Sequence, residues 1–123
     1  MTELRLNEDC GKSSKNQLLQ ELTVAMALAD VDLLSDFLTA DVQWTQIGRM
    51  PVSGSQSVCR ALARLGKATA LKIEHVLSHG RSGAVDGIVV FRRKSRAFCH
   101  VFEFANAKGT KVSEIRTYSI AIG

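Results

Sequence analysis

The chain has 123 residues, of which 46% are apolar and 23% charged, with a single proline. That is enough apolar surface for one hydrophobic core and too little length for two comfortable ones, and it excludes a disordered or collagen-like chain. The net charge of +4 is unevenly spread: acids gather between Asp30 and Asp41, bases in Arg60 to Lys72 and in FRRKSR at 91–96.

In chain order, residues 1–14 are polar and aperiodic and are expected to be a flexible tail, followed by one domain over 15–122. Ser13 or Ser14 can cap a first helix from about Lys15 to Ala29, in which Leu18, Leu19, Leu22, Met26 and Ala29 recur at helical spacing. Asp30 and Asp32 offer caps for a short second helix carrying Leu33, Leu34, Phe37 and Leu38. From Asp41 the period changes to two, and Val42, Trp44 and Gln46 share one face of a strand. A third helix starts at Ser55 or Ser57 and stops near Gly66, with Val58, Leu62 and Leu65 on one side.

Four strands follow. In the first, Leu71, Ile73, His75, Leu77 and His79 alternate with Lys72, Glu74, Val76 and Ser78, and HGRSG at 79–83 is a turn. Segments 84–92, 96–104 and 111–122 complete the set, and in 96–104 the residues Phe98, His100, Phe102 and Phe104 share a face. Early helices and late successive hairpins predict an α+β fold with an antiparallel sheet packed on the helices.

Residues 1–15 lack the apolar stretch of a secretory signal, and no run reaches the roughly 18 apolar residues of a membrane span, so a cytoplasmic protein without membrane attachment is expected. Cys10, Cys59 and Cys99 are widely separated, which indicates neither a disulfide framework nor a zinc site. FRRKSR has no interleaved aromatics and sits at a strand turn, so a solvated hairpin is favoured over a nucleic-acid surface. No HExxH, GxxxxGK, GxSxG or GxGxxG pattern is present, and no cofactor or metal is expected.

The element order, ALADVDLLSDFLTADVQW at 27–44, Gly54 before the third helix and GTKVSEIRTYSI at 109–120 together resemble a known superfamily. It comprises nuclear transport factor 2, ketosteroid isomerase, scytalone dehydratase, limonene epoxide hydrolase and the SnoaL-like polyketide cyclases. The resemblance implies a cone-shaped roll: a strongly curved, mostly antiparallel sheet packed on three N-terminal helices, with a pocket between them. It places Leu22, Gln46 and His100 where ketosteroid isomerases carry a tyrosine, a proton-shuttling aspartate and a neutral aspartate. Thr117 falls where the epoxide hydrolases carry an aspartate.

His100 and Gln46 are therefore the candidate catalytic residues. Leu22, Met26, Trp44, Phe98, Phe102 and Thr117 are the candidate pocket wall. Asp86, an acid in an apolar strand, is a conceivable partner of His100 for a metal. Two functions are open: an enclosed pocket for a small apolar or carbonyl-containing molecule, with isomerase, dehydratase or cyclase-type proton transfer through His100, or a non-catalytic module. Pairing into a homodimer is expected through the sheet, where Glu114, Arg116, Tyr118 and Ile120 share a face of the last strand.

Overall fold

The computed structural model describes residues 2–8 and 13–123; Cys10 lies outside them. Helix α1 (Ser14–Leu28) begins where the Ser13 hydroxyl accepts the Asn16 amide at 3.2 Å, and it closes on Ala29, whose φ of 52° is left-handed. Asp30 caps α2 (Val31–Phe37) through the Leu33 amide. Strand β2 (Leu38–Gln46) starts three residues before the alternation at Asp41 becomes visible. Helix α3 (Ser55–Leu65) is introduced by Gly54 and closed by Gly66, both at positive φ where a side chain would be strained.

The long strands are β4 (Ala70–His79), β5 (Ser82–Phe91), β6 (Lys94–Phe104) and β7 (Val112–Ile122). Two short strands were not anticipated: β1 (Glu3–Arg5), inside the stretch expected to be a loose tail, and β3 (Val52–Ser53). The sheet order is β1-β4-β5-β6-β7-β2-β3. Hairpins make it mostly antiparallel, but β1 runs parallel to β4 and β2 parallel to β7.

The α+β class holds, and the cone-shaped, strongly curved roll does not. The sheet is open and not strongly curled, with the short strands β1 and β3 at its two ends and unpaired to each other. Strong curling needs bulges or glycine kinks repeated across neighbouring strands. Register shifts occur in β4–β5, β6–β7 and β2–β7, but the central pair β5–β6 runs from Ser82↔Glu103 to Phe91↔Lys94 without one, so they are not continuous across the sheet.

One face of the sheet carries the core. Leu19 and Leu22 of α1, Leu34 of α2 and Val58 of α3 meet Val42, Val85, Phe102, Phe104 and Ile115, all without exposed surface. Each such aliphatic or aromatic side chain contributes roughly 1.5–3 kcal/mol through burial.

The alternation in β4 breaks at Glu74. The register with β5 shifts between Ile73 and His75, so one extra residue enters the strand and every later side chain changes face. Leu71, Ile73 and Val76 are buried, whereas Leu77, expected on the same face as Ile73, is 65% exposed.

The β5–β6 hairpin turns on Arg92 and Arg93, with φ of 48° and 68°. A two-residue turn between right-twisted strands needs both central residues left-handed, a demand usually met by Asn-Gly. For arginine that conformation costs roughly 1–2 kcal/mol per residue.

Candidate ligand site

Between the sheet and helices α1 and α3 lies a cavity of about 240 Å³. Its polar centre is a row across three strands. His100 on β6 is the register partner of Thr117 on β7, which is the register partner of Gln46 on β2. The parallel β2–β7 pairing makes these three neighbours, with Gln46 and His100 about 10 Å apart across two strand spacings.

Thr117 organises the row. The Trp44 indole N–H donates to Thr117 Oγ1 at 2.9 Å, and His100 Nδ1 lies 2.7 Å from the same oxygen. Trp44 is 2% and Thr117 8% exposed, so both groups need partners inside the protein. With the indole donating to Oγ1, the hydroxyl proton is free to go to Nδ1. With the hydroxyl donating to Nδ1, the imidazole proton would sit on Nε2, which has no protein partner among the described residues.

His100 sits between Phe98 and Phe102, with ring centroids 4.8 and 5.8 Å away. It is half-buried and lines the cavity, and burial pushes its pKa down to about 4. At neutral pH the group is an uncharged N–H donor. No aspartate or glutamate lines the cavity, so this site lacks a carboxylate base.

The structure brings six of the anticipated residues to the cavity: His100, Gln46, Met26, Trp44, Phe98 and Thr117. Leu22 and Phe102 do not border it. Both are 0% exposed and belong to the packed core, because α1 turns Thr23 and Met26 toward the space instead. Sequence reasoning missed Arg49, Arg96 and Ser119, which also line the cavity. The inward parity of Arg96 with Phe98 and His100 was the available signal.

Asp86 cannot join His100. Val85 pairs with His100 and Asp86 with Cys99, so the acid points from the opposite face. There Asp86 Oδ1 lies 2.9 Å from His75 Nδ1, and the ligand atoms of Glu74, His75 and Asp86 all fall within 4.8 Å of one another. The β4 bulge creates this cluster by turning Glu74 and His75 outward together. It can hold a proton between imidazole and carboxylate, although His75 is 69% exposed and no cavity adjoins it. Burial and, to a lesser degree, the Asp86 charge raise the Cys99 thiol above its ordinary pKa, which disfavours a nucleophilic thiolate. Among the described residues Cys59 and Cys99 are free.

No family model and no curated protein matches the sequence. Solved structures do match the fold. A nuclear transport factor 2-like protein of unknown function from Burkholderia xenovorans LB400 superposes with a TM-score of 0.80 at 15% identity, covering 93% of this chain and 88% of its own. The chain has the nuclear transport factor 2-like fold. A second nuclear transport factor 2-like protein of unknown function, from Cytophaga hutchinsonii ATCC 33406, gives a TM-score of 0.71 at 9% identity, with 87% and 90% covered. An epoxide hydrolase of the limonene epoxide hydrolase-like type from Mycobacterium tuberculosis gives 0.69 at 18%, with 85% and 76% covered. At these identities the likeness concerns the nuclear transport factor 2-like fold alone, since one fold hosts unrelated activities. No helix among the described residues is long and apolar enough to cross a membrane.

Proposed function

We propose that the protein binds a small, largely apolar molecule bearing an oxygen, held in the inner cavity with that oxygen facing His100 and Gln46. The observation that carries this reading is the Trp44–Thr117–His100 chain, which holds an uncharged imidazole in a cavity wall that also carries Trp44, Phe98, Leu71 and Val89, so that an Nε2–H can face the space. An Nε2–H that meets no protein acceptor is left free to donate to a ligand or water in the cavity. If the bound molecule reacts, the chemistry is of the isomerase or lyase type: water takes the proton removed beside the oxygen, since no carboxylate among the described residues lines the cavity, and Nε2–H stabilises the negative charge left on that oxygen. A histidine with a pKa of about 4 is a weak base at neutral pH, so its role is hydrogen-bond donation rather than proton abstraction.

The test uses N-phenyl-1-naphthylamine, an uncharged fluorophore, displaced by 2-decanone. His100→Ala is expected to weaken the ketone more than tenfold, or about 1.4 kcal/mol, while unfolding free energy changes by less than about 1.5 kcal/mol. Failure of the protein to take up the fluorophore, or unchanged ketone affinity in a folded His100→Ala protein, would sink the reading.

A second reading, pairing of two copies through the outer sheet face, is favoured by the exposure of Leu77 (65%), Ile120 (66%) and Tyr118 (44%) there. Arg116 lies 6.0 Å from the Tyr118 ring centroid and donates to its hydroxyl, composing an aromatic and arginine surface suited to an interface. Light scattering after size exclusion is expected to give twice 13.4 kDa, and Ile120→Lys should return the monomer. A wild-type monomer at all concentrations would refute the pairing.

A further inference from the structure

We infer that the cavity's ligand is an amphipathic anion, its apolar body inside and its carboxylate or phosphate head held at the mouth by Arg96 and the basic hairpin. The inference rests on the pocket reading above and adds the ligand's charge and shape.

The inner cavity has a neighbour on the far side of Arg96. It shares Leu65, Phe91 and Arg96 with a second, more open cavity of about 790 Å³. About 240 Å³ falls below the roughly 300–1,000 Å³ of ordinary small-molecule sites, whereas the neighbouring cavity of about 790 Å³ lies within that range. A ligand of usual size would therefore extend past Arg96 into the second cavity.

What it would meet there is positive charge. Arg49 and Arg96 line the inner cavity, and Arg64, Arg92, Arg93 and Lys94 join Arg96 around the outer one. Neither lining contains an aspartate or glutamate, and none of the six cations forms an ion pair among the described residues. Clustered cations repel one another, and an anion relieves that repulsion. Arg96 is the best placed of them. Its Nε and Nη2 donate to Ser119 Oγ at 3.2 and 3.1 Å, which orients the planar fork and leaves Nη1 for a carboxylate or phosphate oxygen.

The geometry sets the ligand's length. Arg96 and His100 share the inner face of β6 four residues apart, about 13 Å at roughly 3.3 Å per residue. The ligand therefore places its anionic head at one end and the oxygen that meets His100 some distance along an apolar chain. The hairpin places two of these charges at its tip, where Arg92 and Arg93 occupy the left-handed turn positions beside the outer cavity.

Three competitors with one ten-carbon chain test this: 1-decanol, decanoate and decyl phosphate, each displacing N-phenyl-1-naphthylamine. Wild-type protein is expected to release the fluorophore at least tenfold more readily to the anions than to the alcohol, with the preference shrinking as salt rises. Whichever anion is favoured identifies the head group as carboxylate or phosphate. Arg96→Gln should reduce the anion-over-alcohol preference to under threefold, and Arg92→Gln with Arg93→Gln should reduce it in part. Equal displacement by all three in wild-type protein, or a preference undiminished in both variants, overturns the inference and leaves the pocket reading standing. No uptake of fluorophore at all overturns both.

Discussion

Gly87→Ala is expected to lower the unfolding free energy by roughly 3 kcal/mol or more, the largest loss from adding one methyl group to this protein. Gly87 pairs with Ile73 beside the β4 bulge, and a Cβ built on it would overlap the backbone carbonyl oxygen of Lys72. Backbone cannot rotate aside as a side chain can, so β4 would have to withdraw from β5 and lose ladder hydrogen bonds around the bulge. Gly83 supplies the contrast. A Cβ there would overlap Leu19 Cδ1, the far end of a flexible side chain, although the Leu77 carbonyl oxygen is also near at 3.1 Å. Gly83→Ala should therefore cost less, about 1–3 kcal/mol. Denaturant midpoints of the two variants, with slopes checked for constancy, decide the matter. A Gly87→Ala protein within about 1 kcal/mol of wild type would mean that β4 does not approach β5 as described.

The bulge also marks a boundary of what the sequence makes legible. In α1, Leu19, Leu22 and Met26 at helical spacing identify the buried face, and Ser13 identifies the start. In β2, Val42, Trp44 and Gln46 show by alternation alone which side faces the core. Both are local signals. The extra residue at Glu74 is not, because it exists only in the pairing of β4 with β5; alternation carried straight through it puts Leu77 on the wrong face and hides the cluster of Glu74, His75 and Asp86.

The candidate site divides in the same way. That His100 stands among phenylalanines follows from its own strand. That Thr117 joins it to Trp44 depends on β2 lying parallel beside β7, a contact spanning 73 residues of chain. Arg96 carried the inward parity of Phe98 and His100, yet a charged residue next to a turn ordinarily reads as solvated. Only the cavity beside it gives the charge a direction.

The pH dependence of stability is expected to report His100 directly. Its pKa is depressed from 6.5 to about 4 in the folded protein by burial, so between those values the unfolded chain binds the proton and the folded one does not. Stability therefore rises with pH across this window: it is fully present above about 6.5 and is lost as pH falls toward 4. A shift of this size corresponds to about 3 kcal/mol. Arg49 and Arg96 are the charged groups sharing the cavity, and neither changes charge in the window; the raised Cys99 and Arg116 values lie above it. Every other titratable group is common to wild type and His100→Gln, so the difference between the two isolates the imidazole. Wild type is expected to lose about 3 kcal/mol more than the variant on going from pH 7 to pH 4, whatever the variant's stability at neutral pH. Parallel pH profiles would mean that His100 titrates as an ordinary histidine and is not held neutral by burial. Its proton would have to arrive at Nδ1, the atom facing the Thr117 hydroxyl, and the hydroxyl could no longer donate there. Protonation thus opposes both the burial of the ring and the hydrogen-bond direction set by Trp44, and the acid limb of the stability curve measures the two together.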